Sequence, residues 1–187
     1  MNPKQPWMDH GYRTFAYEGP TGLKVERLAR QVGKSKSSFY HLFADLDLFI
    51  SDLLDHHLER AVIMAEREAK CTTESELIGV IIDHKIDLLV NRQLRFHREN
   101  PDFEKCFTAV NQLSVPALMP LWKQIIDLRE QSYLAELVLL LTLDNFFLQI
   151  TDQTLNEAWL QGYMQNIRQM VRQFKQTGNL PQMDGSV

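Results

Sequence analysis

Apolar residues recur at intervals of three and four along nearly the whole chain, the spacing that gathers them on one face of an α-helix. Trp7, Met8, Gly11, Tyr12, Phe15 and Ala16 form the first stripe, which Gly19-Pro20-Thr21-Gly22 ends. Residues 24–31 form a short second helix, with Val25, Leu28, Ala29 and Val32 on one side and Arg27 and Arg30 on the other, and Gly33 closes it. Ser35 is a good N-cap for a third helix over residues 36–43, where Phe39 and Phe43 stand one turn apart. Two helices of about eight residues joined by a glycine-containing turn predict a helix-turn-helix.

From Asp45 the stripe continues through Leu46, Phe49, Ile50, Leu53, Leu54, His57, Leu58, Ala61, Met64 and Ala65 to residue 71. At 1.5 Å per residue that helix is roughly 40 Å long and can connect two domains. Thr72-Thr73-Glu74-Ser75 is a loop and cap, after which residues 77–94 read as one central helix, apolar around more than half its circumference. Asn100-Pro101 opens a helix over residues 102–113. Ser114, Pro116 and Pro120 predict an irregular or kinked stretch over 115–119, because a proline inside a helix removes an N–H and crowds the preceding turn. Helix resumes over 121–130. Two long helices follow over 132–150 and 153–177, stopped by Gly178 and Pro181, with a frayed tail at 182–187. The expected fold is all-α, with an N-terminal three-helix helix-turn-helix unit (residues 1–45) and a larger helical domain (46–187).

Composition narrows the class. With 187 residues the chain can bury a core without disulfides or metal. Apolar residues at 44% and charged ones at 24% fit neither a disordered nor a membrane protein. The longest apolar run, residues 137–141, is too short to span a bilayer, and no secretory signal pattern opens the chain, so a cytoplasmic location is expected. Cys71 and Cys106 stand in no paired motif and read as free thiols; nothing beyond their presence supports redox sensing. The net charge of −4 hides an asymmetry. Residues 1–50 carry seven Lys or Arg against five Asp or Glu, leaving +2 there and −6 in the remainder. A basic segment on an acidic body suits a protein with one face toward phosphate.

A helix-turn-helix reads double-stranded DNA by laying its second helix in the major groove, which requires polar or basic side chains outward and bulky apolar ones inward. Lys36, Ser37, Ser38, Tyr40 and His41 can face outward as donors to phosphates and base edges, while Phe39 and Phe43 hold the helix to the core. Lys24, Lys34 and Ser35 complete the candidate DNA-binding set.

At this point the chain resembles the TetR/AcrR family of bacterial transcriptional regulators. The matching residues are Phe15 and Gly19, then Leu28-Ala29, Val32-Gly33, and Ser35-Lys36-Ser37-Ser38-Phe39-Tyr40-His41-Leu42-Phe43, followed by Asp45-Leu46-Asp47-Leu48-Phe49 at the start of the long helix. The motif-level resemblance covers roughly residues 7–54 and departs from the family pattern at three positions. Lys34 replaces a small apolar residue after the turn glycine. Leu46 stands where a lysine often contacts the DNA backbone, and Lys24 where Thr or Ser often caps the second helix. The resemblance implies a homodimeric, ligand-responsive regulator, most often a repressor, with a ligand-binding core and a last helix pair that dimerises.

The implied dimer face holds Leu137, Leu141, Leu148, Leu155, Trp159, Tyr163 and Ile167, more apolar surface than two terminal helices bury alone. The aromatics and Met around the proline-broken segment, namely Phe103, Phe107, Met119, Trp122, Phe146 and Phe147, are candidates for an effector pocket, with plain core packing as the other reading. Asp83, His84 and Asp87, like His56, His57 and Glu59, have a spacing compatible with a metal but no complete ligand set, so no metal and no cofactor is expected. Arg92, Arg95, His97 and Arg98 fit an anion site and a solvated helix end equally well. No nucleophile elbow, phosphate-cradling loop or His-Glu metal motif points to an enzyme. A helical binding or scaffold protein without specific DNA recognition is the rival reading.

Overall fold

The computed structural model describes residues 2–177, and the described residues form nine α-helices and no strand. These are α1 (Gln5–Glu18), α2 (Val25–Val32), α3 (Lys36–Phe43), α4 (Leu46–Glu68), α5 (Glu74–Asp83), α6 (Lys85–Phe96), α7 (Pro101–Ile125), α8 (Ser132–Gln149) and α9 (Glu157–Thr177), with a single 3-10 turn at Pro20–Gly22. The all-α fold with its N-terminal helix-turn-helix is the one the periodicity predicts. The expected stop at Gly178 and Pro181 and the tail at 182–187 lie outside the described residues. Among the described residues no helix is long and apolar enough to cross a membrane.

Most helix ends follow local chemistry. Asp45 caps α4 by accepting from the Leu48 N–H at 2.8 Å, and Asn100 caps α7 by accepting from Asp102 and Phe103. Thr73 and Glu76 cap α5 reciprocally. Three expectations need correction. Residues 77–94 are not one helix: the chain breaks at His84, whose Nδ1 lies 2.8 Å from the buried carboxylate of Asp87. That tertiary anchor has no signature in hydrophobic spacing. The last helix begins at Glu157 rather than 153, because Thr151 and Thr154 close a turn on each other and Asn156 then caps the helix through the Trp159 N–H at 3.0 Å.

The third correction concerns the prolines. Residues 115–119 are helical, and α7 runs unbroken through Pro116 and Pro120, ending at Ile125. Each proline removes the N–H that would serve the carbonyl four residues earlier, on Gln112 and Pro116. Gln112, Pro116 and Pro120 share one face and all are exposed, so water can satisfy the abandoned carbonyls. The opposite face is buried through Leu118, Leu121 and Trp122, and the Trp122 indole donates to the Ala135 carbonyl of α8 at 2.9 Å. Packing on the inner side outweighs the proline penalty because the lost hydrogen bonds fall on the wet side.

The N-terminal unit is attached to the body through α1. Gly11 allows α1 to lie against α4, since a Cβ there would meet the Phe49 ring at 2.3 Å. Beside it, the Tyr12 hydroxyl donates to Asp87 Oδ1 of α6 at 2.7 Å and lies 2.6 Å from His57 Nδ1 of α4. Arg60 grips Asp87 through two nitrogens, one of them at 2.8 Å from Oδ2. Asp87, His57 and Tyr12 are almost fully buried. Burial works to raise the Asp87 carboxyl, but the hydrogen bonds from Arg60, Tyr12 and His84 outweigh it and hold the group below its ordinary range.

Replacing Asp87 by Ala leaves Arg60, Tyr12 and His84 facing a void, and the expected loss is about 3 kcal/mol, discounted because Arg60 is a third exposed. In the wild type this contribution is present above the unfolded value of 3.8 and is lost as pH falls through the lower folded value, which urea titrations between pH 2 and 6 would reveal. Pro116→Ala returns a donor to the Gln112 carbonyl and should raise the urea midpoint, by about 1 kcal/mol of stability. A lower midpoint would contradict the account of α7.

Candidate nucleic-acid interface

The turn between α2 and α3 is fixed by Gly33 at φ 67°, ψ 35°, a left-handed conformation, while the Lys34 N–H reaches back to the Ala29 carbonyl at 2.9 Å. Ser35 then caps α3, its hydroxyl accepting from the Ser38 N–H at 3.3 Å. Lys24 precedes α2 in extended conformation and makes no side-chain cap bond. The inner face of α3 is Phe39 and Phe43, both buried in an aromatic cluster with Trp7 of α1 and Phe49 of α4. Ring centroids within this cluster lie between 4.8 and 5.4 Å, mostly edge to face. The cluster fixes the rotation of α3 and therefore what it turns to solvent.

What it turns outward is Lys36, Ser37, Tyr40 and His41, all exposed, with Tyr40 at 51%. Lys24, Lys34 and Ser35 are exposed beside them, and Ser38 is half-buried. Lys34, Ser37, Ser38 and His41 line one shallow depression of about 550 Å³ with Pro3, Trp7 and Leu42. Pro3 and Trp7 were not among the candidates, because nothing local in the sequence brings the start of α1 to the face of α3. Ser38 is partly committed already, its Oγ lying 3.0 Å from that of Ser35.

The positive charge on this face is smaller than the count of lysines suggests. Lys36 Nζ donates to Glu26 Oε1 at 3.0 Å across the turn, a fully exposed pair whose hydrogen bond raises the lysine and lowers the carboxyl. Lys4 is held by Asp52 at 2.8 Å and sits over the Phe43 ring. Arg27 pairs with Glu18. Glu26 lies outside the candidate set: it is the single acid within residues 24–43, and the fold sets it against the first residue of α3. Leu46 is half-buried and packs on the core, so it occupies a packing position rather than an outward one.

The other candidate sets fall elsewhere. Phe103, Phe107, Trp122, Phe146 and Phe147 are buried on α7 and α8, with Met119 half-buried. The Phe107 and Phe147 rings stand 5.6 Å apart, while Phe103 reaches Phe15 of α1 at 5.5 Å. Leu137, Leu141 and Leu148 are exposed at 42%, 62% and 54%, whereas Leu155, Tyr163 and Ile167 are buried and Trp159 is half-buried. Tyr163 ties α9 to α8, its hydroxyl donating to the Thr142 carbonyl at 2.8 Å and its ring stacking on Trp159. Beyond that tie a groove of about 1110 Å³ opens between α8 and α9, walled by Leu137, Leu141, Tyr163, Ile167 and Phe174 among others.

Of the spacings compatible with a metal, Asp83 is paired with Arg67 at 2.6 Å and His84 with Asp87, and the described residues hold no group of three or more potential ligands. Arg95 pairs with Asp144 of α8 at 2.9 Å, and Arg92 covers the Phe96 ring. Both cysteines are free; burial pushes the Cys71 thiol up and Cys106 to about 12, away from the reactive thiolate.

No family model matches the sequence, and no curated protein matches it either. Among solved structures, the chain is similar to a provisionally assigned TetR-family transcriptional regulator from Rhodococcus sp., with a TM-score of 0.54 and 14% identity over 95% of this chain and 98% of that one. The likeness extends over essentially the full length of both chains, and it is a likeness of fold: this chain has a TetR-like all-helical architecture with an N-terminal helix-turn-helix.

Proposed function

We propose that the protein is a homodimeric, ligand-responsive transcriptional regulator that binds double-stranded DNA, a cytoplasmic repressor released from a palindromic operator by a small molecule, and not an enzyme. The observation that carries this reading is the outward face of α3, where Lys36, Ser37, Tyr40 and His41 stand exposed on a helix locked from behind by four aromatic rings. Residues 1–45 are the reading head and 46–187 the ligand-binding and dimerising body. In this reading Lys24, Lys34 and Lys36 engage phosphates, and Ser37, Tyr40 and His41 reach base edges. The TetR-like fold of the solved neighbour supports the same reading.

The dimer is proposed through α8 and α9. Leu137, Leu141 and Leu148 stand exposed on α8 beside an open apolar groove, and a second copy related by a two-fold axis would cover that surface with the same residues. Two heads on such an axis would enter half-sites about one DNA turn, roughly 34 Å, apart or somewhat more. The effector is proposed to lodge among Phe103, Phe107, Met119, Trp122, Phe146 and Phe147. To exclude the protein from its site a hundredfold, it must favour the mismatched head spacing by about 2.7 kcal/mol.

One observation favours the rival, a helical binding or scaffold protein: Lys36 and Lys4, two of the cations nearest the face, are already paired with carboxylates. Selection from random duplex DNA separates the two. The wild type should enrich an inverted repeat that Lys36→Ala with Tyr40→Ala abolishes. Glu26→Gln should release Lys36 to phosphate and steepen the salt dependence by roughly 2 in log–log slope for a dimer. Equal, sequence-blind binding by all three proteins would transfer the assignment to the rival. For the interface, Leu141→Glu should shift the sedimenting species from dimer to monomer while preserving helical content; a wild type that sediments as a monomer at micromolar concentration would refute the α8/α9 dimer.

A further inference from the structure

The junction of α1, α4 and α6 holds more hydrogen-bonding chemistry than an attachment needs. Asp87 Oδ1 accepts from both Tyr12 and Arg60, while Oδ2 accepts from Arg60 and faces His84 Nδ1. Because the Tyr12 proton is committed to a carboxylate that cannot donate, the Tyr12 oxygen is left as an acceptor for His57. His57 Nδ1, 2.6 Å away, therefore carries a hydrogen and donates to it. The second ring nitrogen, Nε2, lies 3.0 Å from the Asn91 amide oxygen. A half-turn of that amide exchanges oxygen for NH2. The pair thus has two self-consistent states: a neutral ring accepting from the amide nitrogen, and a protonated ring donating to the amide oxygen.

The protonated state adds a cation to a site with no counter-charge to spare. Asp87 is already shared by Arg60, Tyr12 and His84, Arg60 lies on the same helix as His57, and His56 adjoins it. On the α7 side of α4 the titratable neighbour is Cys106, whose Sγ is 3.9 Å from the Leu54 carbonyl. Burial pushes the His57 imidazole below its ordinary value, more strongly than the Asn91 hydrogen bond and the Asp87 charge raise it. Burial therefore favours a neutral ring in the locked junction, with the Asn91 amide turned to present its nitrogen, and a charged ring is better solvated when the junction opens.

We propose that the Tyr12–His57–Asp87 junction is a proton-released latch: uptake of one proton by His57 frees α1 from the body and lets the head leave its fixed position. Only the consequence for DNA rests on the proposed function, because the latch itself is tested without DNA. A histidine that stays neutral in the locked state and titrates ordinarily in the released state favours release about tenfold more at pH 5.5 than at pH 7.5. The sign is that of a depressed histidine: the lock is complete above about pH 6.5 and weakens as pH falls below it.

One other group acts near that window. Glu68 of α4 is buried with Oε2 unpartnered, and burial raises it to about 7 against a lowering hydrogen bond from Ser114, so acidification favours the folded body. It opposes the latch, so global stability would mask it and a local readout is required.

The experiment is amide hydrogen exchange of the free protein at pH 7.5 and 5.5, corrected for intrinsic rates. Protection in α1 to α3 should fall about tenfold relative to α7 in the wild type, and less than twofold in His57→Gln. Nitrogen-15 spectra of the wild-type histidines provide a test that requires no variant: His57 should hold its hydrogen on Nδ1 at pH 7.5 and lose that state in step with α1 protection. The latch is overturned if protection in α1 to α3 is unchanged with pH, if His57→Gln keeps the full drop, or if His57 carries both hydrogens at pH 7.5 while α1 stays protected. If the protein passes these tests but selects no DNA sequence, the latch stands and the regulator reading fails.

Discussion

The position of the N-terminal unit depends on one buried carboxylate. Asp87 belongs to α6, yet its two oxygens organise Tyr12 from α1, Arg60 from α4 and His84 from the break before α6. A buried anion of this kind is costly unless every lone pair is used, and here the partners come from two other helices and from the break before α6. The aromatic cluster behind α3 makes the head rigid, but it does so within the head and at the start of α4. Orientation relative to the body rests on directional polar contacts as well as on the apolar packing of α1, including Phe15 on Phe103 and the close approach that Gly11 permits.

Directional contacts behave differently from apolar ones when strained. A hydrophobic seam slides with a shallow energy profile, whereas a carboxylate bound by a phenol and a guanidinium is either engaged or not. The engaged junction therefore holds the head in one position relative to α4 and α6. A displacement that starts among the buried rings of α7 and α8 can reach it by two routes, through α4 and through α6, and both converge on Asp87. Phe103, in edge contact with Phe15 of α1, is a third and purely apolar link between body and head.

Much of the architecture was legible from the chain because its signals are local. The Ser35 cap, the Gly33 turn and the Phe39/Phe43 spacing lie within ten residues of one another and fixed both the motif and the outward face of α3. The failures share the opposite character. The break at His84 depends on Asp87 and on what surrounds it, and the helix through Pro116 and Pro120 depends on which face α7 buries. Tyr12 read only as part of an apolar stripe, since its partners stand 45 and 75 residues away. Glu26 was visible but its pairing was not, because the geometry that sets it against Lys36 belongs to the folded turn.

Under the proposed function, the Lys36–Glu26 pair shapes recognition in a way that the net charge of the head conceals. A free lysine on a reading helix attracts any phosphate and contributes to binding at every sequence alike. A lysine held by a carboxylate must exchange that partner for a phosphate or a base edge, so its gain from nonspecific DNA is reduced while a well-placed acceptor can still capture it. With Lys4 tied to Asp52 in the same way, a head that reads DNA as proposed gives up general affinity, and the contacts left to it for distinguishing one site from another are Ser37, Tyr40 and His41 on a helix held by its aromatic face. Rigid placement by Phe39 and Phe43, and muted charge around them, together favour discrimination over strength.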